Sequence, residues 1–145
     1  VNIFTNAKGG INMAKQKVHL TSKEYEIMKV LWNSDRPLLI SELLKMTKNI
    51  ADNSLHPLIS KLIDRGYIKV VGNMRVSKTL SRLYAPGITV DEYAAMQLKE
   101  IFSISGKKFR LSGVLSYFTN NNKKKDEIIG ELEDFLEQYK NESDK

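Results

Sequence analysis

Residues 52–68 read DNSLHPLISKLIDRGYI, and the spacing of their apolar side chains decides the fold. The apolar residues recur at i, i+3, i+4, i+7 and i+8, which places them on one side of a helix. They are Leu55, Leu58, Ile59, Leu62 and Ile63. Gly66 follows as the type of residue that commonly ends a helix in the left-handed conformation. The stretch therefore predicts an amphipathic helix with one side buried in a core.

The opposite side of this helix is polar apart from one proline. Pro57 has no amide hydrogen, so we expect it in the first turn, where amides have no partner within the helix. That position makes Asp52 or Asn53 the predicted N-cap. The residues on this exposed side are Asn53, Ser54, His56, Pro57, Ser60 and Lys61.

Two helices are predicted before this stretch. Thr21 and Glu24 fit a capping box, and apolar residues then recur until a helix end near Asn33. Pro37 favours an extended conformation for the two leucines that follow it. ISELLKM, residues 40–46, then predicts a second, short helix.

A hairpin and three more helices are predicted after the opening stretch. YIKVV, residues 67–71, is typical of a strand, and RLYAP, residues 82–86, is typical of its return. The basic segment GNMRVSKTLS joins them. The helices run from a capping box at Thr89 and Glu92 to about Ser103, within residues 109–118, and from Asp126 to Tyr139.

The order of these elements predicts a winged helix-turn-helix, in which the third helix enters the major groove of DNA. The predicted fold class is mainly α with a small β-hairpin. Residues 13–88 form the winged-helix DNA-binding domain, and residues 89–145 form a helical dimerisation region. Residues 1–12 show no periodicity and are expected to be a leader that is disordered or derived from the expression vector.

The charge of the chain is unevenly distributed. Residues 1–88 carry 14 Lys and Arg against 6 Asp and Glu, a net charge of +8, whereas residues 89–145 carry 9 against 11, a net charge of −2. A basic front half suggests contact with a polyanion such as nucleic acid. The plainer interpretation is that the charges only solvate the surface.

The exposed side of the third helix holds the candidates for contact with bases. Asn53, Ser54 and His56 can donate to and accept from base edges, and Lys61 can reach a guanine or a phosphate. Taken alone, Asn53 and Ser54 are equally well explained as capping residues, and His56 as an ordinary surface histidine.

The hairpin would form the wing, and its cations are candidates for contact with phosphates or a minor groove. These cations are Lys69, Arg75, Lys78 and Arg82. The alternative is that they only protect exposed strand edges from pairing with another chain.

Composition and motifs exclude several other classes of protein. The chain has no cysteine, which excludes disulfides, thiol nucleophiles and cysteine-based metal sites. No apolar run approaches the ~18 residues that span a bilayer, and no signal peptide is recognised, so we expect a cytoplasmic protein without membrane contact. No phosphate-binding loop or zinc-protease motif suggests an enzyme, and neither a cofactor nor a metal is predicted.

Three stretches of the sequence resemble the penicillinase-repressor (BlaI/MecI/CopY) family of bacterial winged-helix repressors. They are LTSKEYEIMKVLWNSDRPLLISELLKM, DNSLHPLISKLIDRGYI and RLYAPGITVDEY. Members typically show E-x-x-[IV]-M-x-[IV]-[LV]-W, then T-[IV]-x-T-L-L-x-R-L-x-x-K-G, and a wing that ends in Y-x-P. The resemblance covers about residues 20–93, with a fainter helical pattern to the end of the chain.

The resemblance implies a dimer that represses promoters at palindromic operators. It places Asn53, Ser54, His56 and Pro57 at the recognition-helix contacts of the family, and Lys61 where members carry an arginine. Ser54 and Pro57 replace two threonines of the family pattern, and the wing is longer than usual, so the operator of other members does not carry over. Copper-sensing members use C-terminal cysteines, and this chain has none.

The C-terminal region carries more apolar surface than a short helical segment buries alone. We therefore predict a homodimer, which matches the two-fold symmetry of palindromic operators. The predicted interface residues are Tyr93, Met96, Ile101, Phe102, Ile128, Ile129, Leu132, Phe135, Leu136 and Tyr139. The alternative is a monomer whose helices fold back on the winged-helix domain.

The resemblance also implies a site of regulation. In β-lactam-responsive members, a protease cleaves an Asn-Phe bond within a C-terminal helix. The best match is Ser116–Tyr117, which lacks that pair of residues. A regulatory protease or an antirepressor is thus a candidate partner, and the inducing signal is left open.

These patterns together predict a sequence-specific DNA-binding transcriptional regulator, a dimeric repressor of a palindromic operator. One alternative is a winged-helix module that binds another protein, because the fold alone does not establish DNA binding. A ligand-sensing regulator is a second alternative.

Overall fold

The computed structural model describes residues 19–105, 108–120 and 124–144. The predicted leader, residues 1–12, lies outside the described residues. The elements in chain order are α1 (Ser22–Trp32), β1 (Leu38–Leu39), α2 (Ile40–Met46), α3 (Asp52–Asp64), β2 (Ile68–Val76), β3 (Thr79–Pro86), α4 (Val90–Ser105), α5 (Leu111–Asn120) and α6 (Lys125–Ser143). They form two compact units, residues 1–100 (unit 1) and residues 101–145 (unit 2). The predicted fold class, mainly α with a winged helix-turn-helix, is confirmed.

Unit 1 contains a three-stranded antiparallel sheet in the order β1-β3-β2. The extended pair predicted after Pro37 forms β1, in which Leu38 lies opposite Tyr84 and Leu39 opposite Leu83. β2 and β3 form the wing, a long hairpin that turns at Ser77 and Lys78. A bulge between Val70 and Gly72 inserts one extra residue into β2.

The core of unit 1 is built on the apolar side of α3. Leu55, Ile59 and Leu62 are each at most 2% exposed, and Leu58 and Ile63 pack against the same cluster from its margin. They meet the apolar side of α1, chiefly Ile27, Met28 and Leu31. The predicted division of α3 into a buried apolar side and an exposed polar side is confirmed.

The prediction for the start of α3 was wrong. The helix begins at Asp52 with Ala51 as N-cap, in an extended conformation and without a side-chain bond. The backbone supplies the bond instead, because the Ser54 amide donates to the Ala51 carbonyl at 2.9 Å. Pro57 is therefore the sixth residue of the helix and lies in its second turn, not its first.

The turn between α2 and α3 is fixed to α1 by one carboxylate. Glu26 of α1 accepts hydrogen bonds from the backbone amides of Lys48 at 2.8 Å and Asn49 at 3.3 Å. Burial opposes ionisation of Glu26, but these bonds outweigh it and lower its pKa. α3 is thus held at its N-terminal approach by polar contacts as well as by its core.

A buried ion pair fixes the other end of α3 to the start of α1. The predicted capping box at Thr21 is present, and its Glu24 carboxylate also accepts a bond from the Arg65 guanidinium at 3.0 Å. Arg65 is the C-cap of α3, and it also donates to the His19 carbonyl at 3.1 Å. Glu24 is 1% exposed, so its carboxylate depends on donors from the protein, and both the Thr21 amide and the Arg65 guanidinium bond its Oε2.

The first turns of α4 belong to the core of unit 1. Trp32 donates from its indole nitrogen to the Ile88 carbonyl at 2.9 Å, and its ring lies 5.5 Å from the ring of Tyr93. Met96, one turn further along α4, is 4% exposed in the same cluster. Two residues predicted for a dimer interface, Tyr93 and Met96, thus pack within unit 1.

We expect Glu24→Gln to lower the free energy of unfolding by about 1.5–3 kcal/mol, the range for a hydrogen bond to a charged group. Burial would raise the pKa of the Glu24 carboxyl, but the Thr21 amide and the Arg65 guanidinium outweigh burial and hold it below 4.5. The charged carboxylate therefore stabilises the fold fully above pH 4.5, and this contribution disappears as the pH falls through the lowered pKa.

Urea unfolding measured between pH 3 and pH 7 checks this expectation. The difference between the parent chain and Glu24→Gln should shrink towards the acid end of the range. Glu92→Gln is the matched control, since Glu92 forms the second capping box with Thr89 on a more exposed surface. An equal loss in both variants would mean that the cap, and not the ion pair with Arg65, carries the effect.

Candidate nucleic-acid interface

The side of α3 opposite the core is a continuous exposed surface. Asn53, His56, Pro57, Ser60 and Lys61 are all exposed, and Ser54 is half-buried at its edge. The exposed residues follow the same spacing of three and four as the apolar stripe, because both run along one helix. The structure thus brings all six predicted α3 residues onto one surface, which we call the α3 surface.

The wing follows directly from the C-terminal end of α3. Gly66 has a φ of 78°, the left-handed conformation that ends the helix, and the Tyr67 amide bonds the Leu62 carbonyl at 2.9 Å. The chain leaving the wing returns to this point, where the Gly87 amide donates to the Tyr67 carbonyl at 2.7 Å. A Cβ at Gly87 would lie 2.3 Å from the Gly66 carbonyl oxygen, so only glycine permits this approach.

The wing cations divide between two faces of the hairpin. Arg75 pairs with Leu80 and Arg82 with Asn73, and this register puts both arginines on the face that holds Ile68 and Tyr84 near the core. Lys69, which pairs with Ala85, lies on the opposite face, and Lys78 lies in the turn. All four cations are exposed, but they do not form one cluster.

The electrostatics of α3 and the wing favour an anion. Between Asp52 and Asp64 the helix carries no acidic residue, and residues 65–90 contain five basic residues and no acidic one. A positively charged surface attracts the phosphates of nucleic acid and steers their approach. The sequence alone shows this run of basic residues, but the folded hairpin determines on which faces of the wing they lie.

Unit 2 exposes much of the apolar stripe predicted for a dimer. Ile101, Phe102, Phe135, Leu136 and Tyr139 are each between 49% and 56% exposed. Ile129 is also exposed, whereas Ile128 and Leu132 are half-buried.

The structure adds exposed apolar residues of α5 that the sequence reasoning did not select. Leu111, Tyr117 and Phe118 are exposed by 55% or more, while Val114 and Leu115 are half-buried. Leu111, Val114, Leu115 and Phe118 have the helical spacing i, i+3, i+4 and i+7, so the signal was present in the sequence.

Ser116 and Tyr117, the residues nearest in pattern to the protease site of the resembled family, lie inside α5. Both are exposed, and the Ser116 hydroxyl donates to the Ser112 carbonyl at 2.8 Å. The bond between them therefore lies on the surface of a folded helix.

Comparison with known proteins gives a family for this arrangement. The profile of the penicillinase repressor family matches residues 20–138, which includes unit 1 from α1 onward and most of unit 2. The chain belongs to the penicillinase-repressor family. No curated protein matches the sequence.

Membership of this family makes the chain a DNA-binding transcriptional repressor by family, and the family is not one of enzymes. The matched region contains the α3 surface and the whole wing. In the part of the chain that the structure describes, no helix is both long and apolar enough to cross a membrane.

We expect the wing of this family member to contribute to the affinity of DNA binding and little to its sequence specificity. Replacing Arg75 and Lys78 by Ala should weaken binding to an operator and to random duplex alike, because phosphates carry no base information. The slope of log affinity against log salt should fall by about one unit for each lost phosphate contact.

Fluorescence anisotropy at several salt concentrations measures both quantities. A double change of Lys23 and Lys29 to Ala removes the same charge from α1 and should alter the slope much less. A loss confined to the operator would instead mean that the wing reads bases.

Proposed function

We propose that this repressor binds a palindromic DNA operator as a homodimer in the bacterial cytoplasm, with α3 as the reading helix. One observation carries the proposal: α3 packs its apolar stripe against the core and leaves an opposite surface of amide, hydroxyl, imidazole and ammonium groups exposed. These are groups that hydrogen-bond to base edges in a major groove. The core does not need them, which favours a role outside the fold.

The wing supports the proposal through its charge. Arg75 and Arg82 share one face, and Lys78 lies in the turn, so an approaching duplex meets cations from the hairpin as well as Lys61 from the helix. Lys69 on the other face would contribute only to the general attraction. We assign the wing to phosphate contacts and α3 to base contacts.

The exposed apolar residues of unit 2 support dimerisation. Phe135, Leu136 and Tyr139 of α6 lie on one side of that helix, and apolar groups of this size seldom cluster exposed on a monomer. We propose an interface built on Ile101, Phe102, Ile128, Ile129, Leu132, Phe135, Leu136 and Tyr139, extended by the exposed residues of α5. Tyr93 and Met96 stabilise unit 1 and are left out of it.

A winged-helix module that binds another protein is the alternative. The exposed valines, Met74 and Leu80 of the wing favour it, since apolar side chains on a hairpin suit a protein surface. Binding to a duplex with a steep salt dependence distinguishes the two, because only DNA binding releases counterions from phosphates.

Regulation by cleavage of the bond between Ser116 and Tyr117 is a further proposal. A protease binds its substrate as an extended chain, so α5 would have to unfold locally before the bond could be cut. A regulatory protease or an antirepressor would then act on unit 2.

We expect Asn53→Ala and Lys61→Ala each to weaken binding to the operator by about 1–3 kcal/mol. Ala51 is the N-cap, so Asn53→Ala removes no capping bond and should leave thermal stability nearly unchanged. The measurement is operator affinity together with base preference, on protein whose melting temperature has been checked.

Lys140→Ala, on the exposed surface of α6, is the control for a lost charge. Unchanged affinity and unchanged base preference in both α3 variants would remove α3 as the reading helix. The protein-interaction function would then be preferred.

We expect the full chain to be a dimer, with a mass in light scattering twice the 16.6 kDa of the chain. Replacing Phe135 and Leu136 by Ser should give a monomer, because it removes two large apolar groups from the proposed interface. Glu133→Ser with Glu137→Ser changes the same helix at exposed polar positions and should leave the dimer intact.

The full chain is needed for this experiment. Truncation near Pro86 would remove Tyr93 and Met96 from the core of unit 1 and would confuse unfolding with loss of the interface. A dimer that survives in the Phe135 and Leu136 variant would place the interface elsewhere.

A further inference from the structure

Pro57 is a costly residue at its position in α3. Of the three prolines in the chain, Pro37 precedes β1 and Pro86 ends β3, whereas Pro57 lies in the second turn of a 13-residue helix. Proline there removes one intrahelical hydrogen bond and disfavours the helix by about 3 kcal/mol relative to alanine. The carbonyl oxygen of Asn53 loses the donor that an α-helix would offer it at residue 57.

Among the described residues of unit 1, 19–100, the hydrophobic core does not include the pyrrolidine ring. Pro57 is exposed, the core side of this turn is formed by Leu55 and Leu58, and the helix continues to Asp64 without a break. The ring neither ends the helix nor fills the core. Its place on the α3 surface points instead to a ligand outside the fold.

The neighbours of Pro57 indicate what that ligand presents. Asn53, Pro57 and Lys61 are spaced by four residues, so they form one ridge along the exposed side of α3. The ridge offers an amide that can bond adenine at two atoms, then an apolar ring without a donor, then a cation. In the major groove the apolar group of a base pair is the C5-methyl of thymine.

We propose that Pro57 is a specificity-determining residue that contacts a thymine methyl in each operator half-site, while Asn53 contacts an adenine at the same or the adjacent base pair. This inference rests on α3 being the reading helix. It assigns the first two turns of α3 to A·T pairs. Lys61, a turn further on, meets a guanine or a phosphate.

The test begins with the full chain and a selection of tightly bound duplexes from random sequence. Each thymine of the selected operator is then replaced singly by deoxyuridine, which lacks only the methyl group. At one thymine in each half-site the replacement should weaken binding by about fourfold, because the complex then no longer buries one methyl group.

The variant Pro57→Ser tests the contribution of the ring separately from that of the other α3 residues. In this variant the same thymine-to-uracil replacement should change affinity by less than twofold, and the salt dependence should match that of the parent chain. Lys140→Ala, on the exposed surface of α6 and outside the α3 surface, is the control and should keep the full methyl effect. Pro57→Ser should also raise the melting temperature, because serine restores the helix amide.

Each contrary result overturns the inference in a distinct way. A methyl effect that persists in Pro57→Ser assigns the thymine to another residue, and the absence of any uracil effect means that no methyl is read. A lower melting temperature in Pro57→Ser would show that the proline serves the fold. If one of these three results is found and Asn53→Ala still weakens binding to the selected operator, the proposed function stands without this inference. If the selection yields no preferred sequence, the inference and the proposed function are both overturned.

Discussion

Burial of Leu55, Ile59 and Leu62 is the interaction on which the rest of unit 1 depends. A helix turns by about 100° per residue, so anchoring one side sets the direction of every other side chain on it. A rotation by one residue would carry Lys61 towards the core and bring an apolar side chain to the surface. The Glu24–Arg65 pair at one end and the Glu26 contacts at the other prevent that rotation, because each fixes a neighbouring backbone segment to α1.

Much of the fold could be predicted from the sequence because its signals are local. The spacing in α3, the capping boxes at Thr21 and Thr89, and the extended residues after Pro37 all depend on nearest neighbours along the chain. One prediction, the start of α3, failed, and the assignment of Tyr93 and Met96 to a dimer interface remains a prediction although both pack within unit 1. Proline chemistry favoured a later start for α3, but the helix begins one or two residues earlier, with the Ser54 amide bonded to the Ala51 carbonyl. Apolar periodicity marked Tyr93 and Met96 as buried without showing that unit 1 buries them.

The candidate site was predictable in composition but not in geometry. The nine cationic and polar residues selected on α3 and the wing, and Pro57 with them, lie at or near the surface, and their roles remain predictions. Strict alternation along β2 would have put Lys69 and Arg75 on one face of the wing. The bulge at Val71 shifts the register, so Arg75 instead shares a face with Arg82. A bulge leaves no clear mark in a single sequence, since it depends on how the partner strand packs.

The contact between Gly66 and Gly87 has a consequence for any DNA that unit 1 binds. These two glycines hold the end of α3 and the exit of the wing at van der Waals distance, and the Gly87 amide bond secures them. The C-terminal end of α3 and the base of the hairpin are therefore fixed to each other. In the proposed complex, the number of base pairs between the helix contact and the wing contact would thus be set by the protein. Lengthening the duplex there by one pair would then misplace the phosphates that we assign to the wing, even with all the preferred bases present.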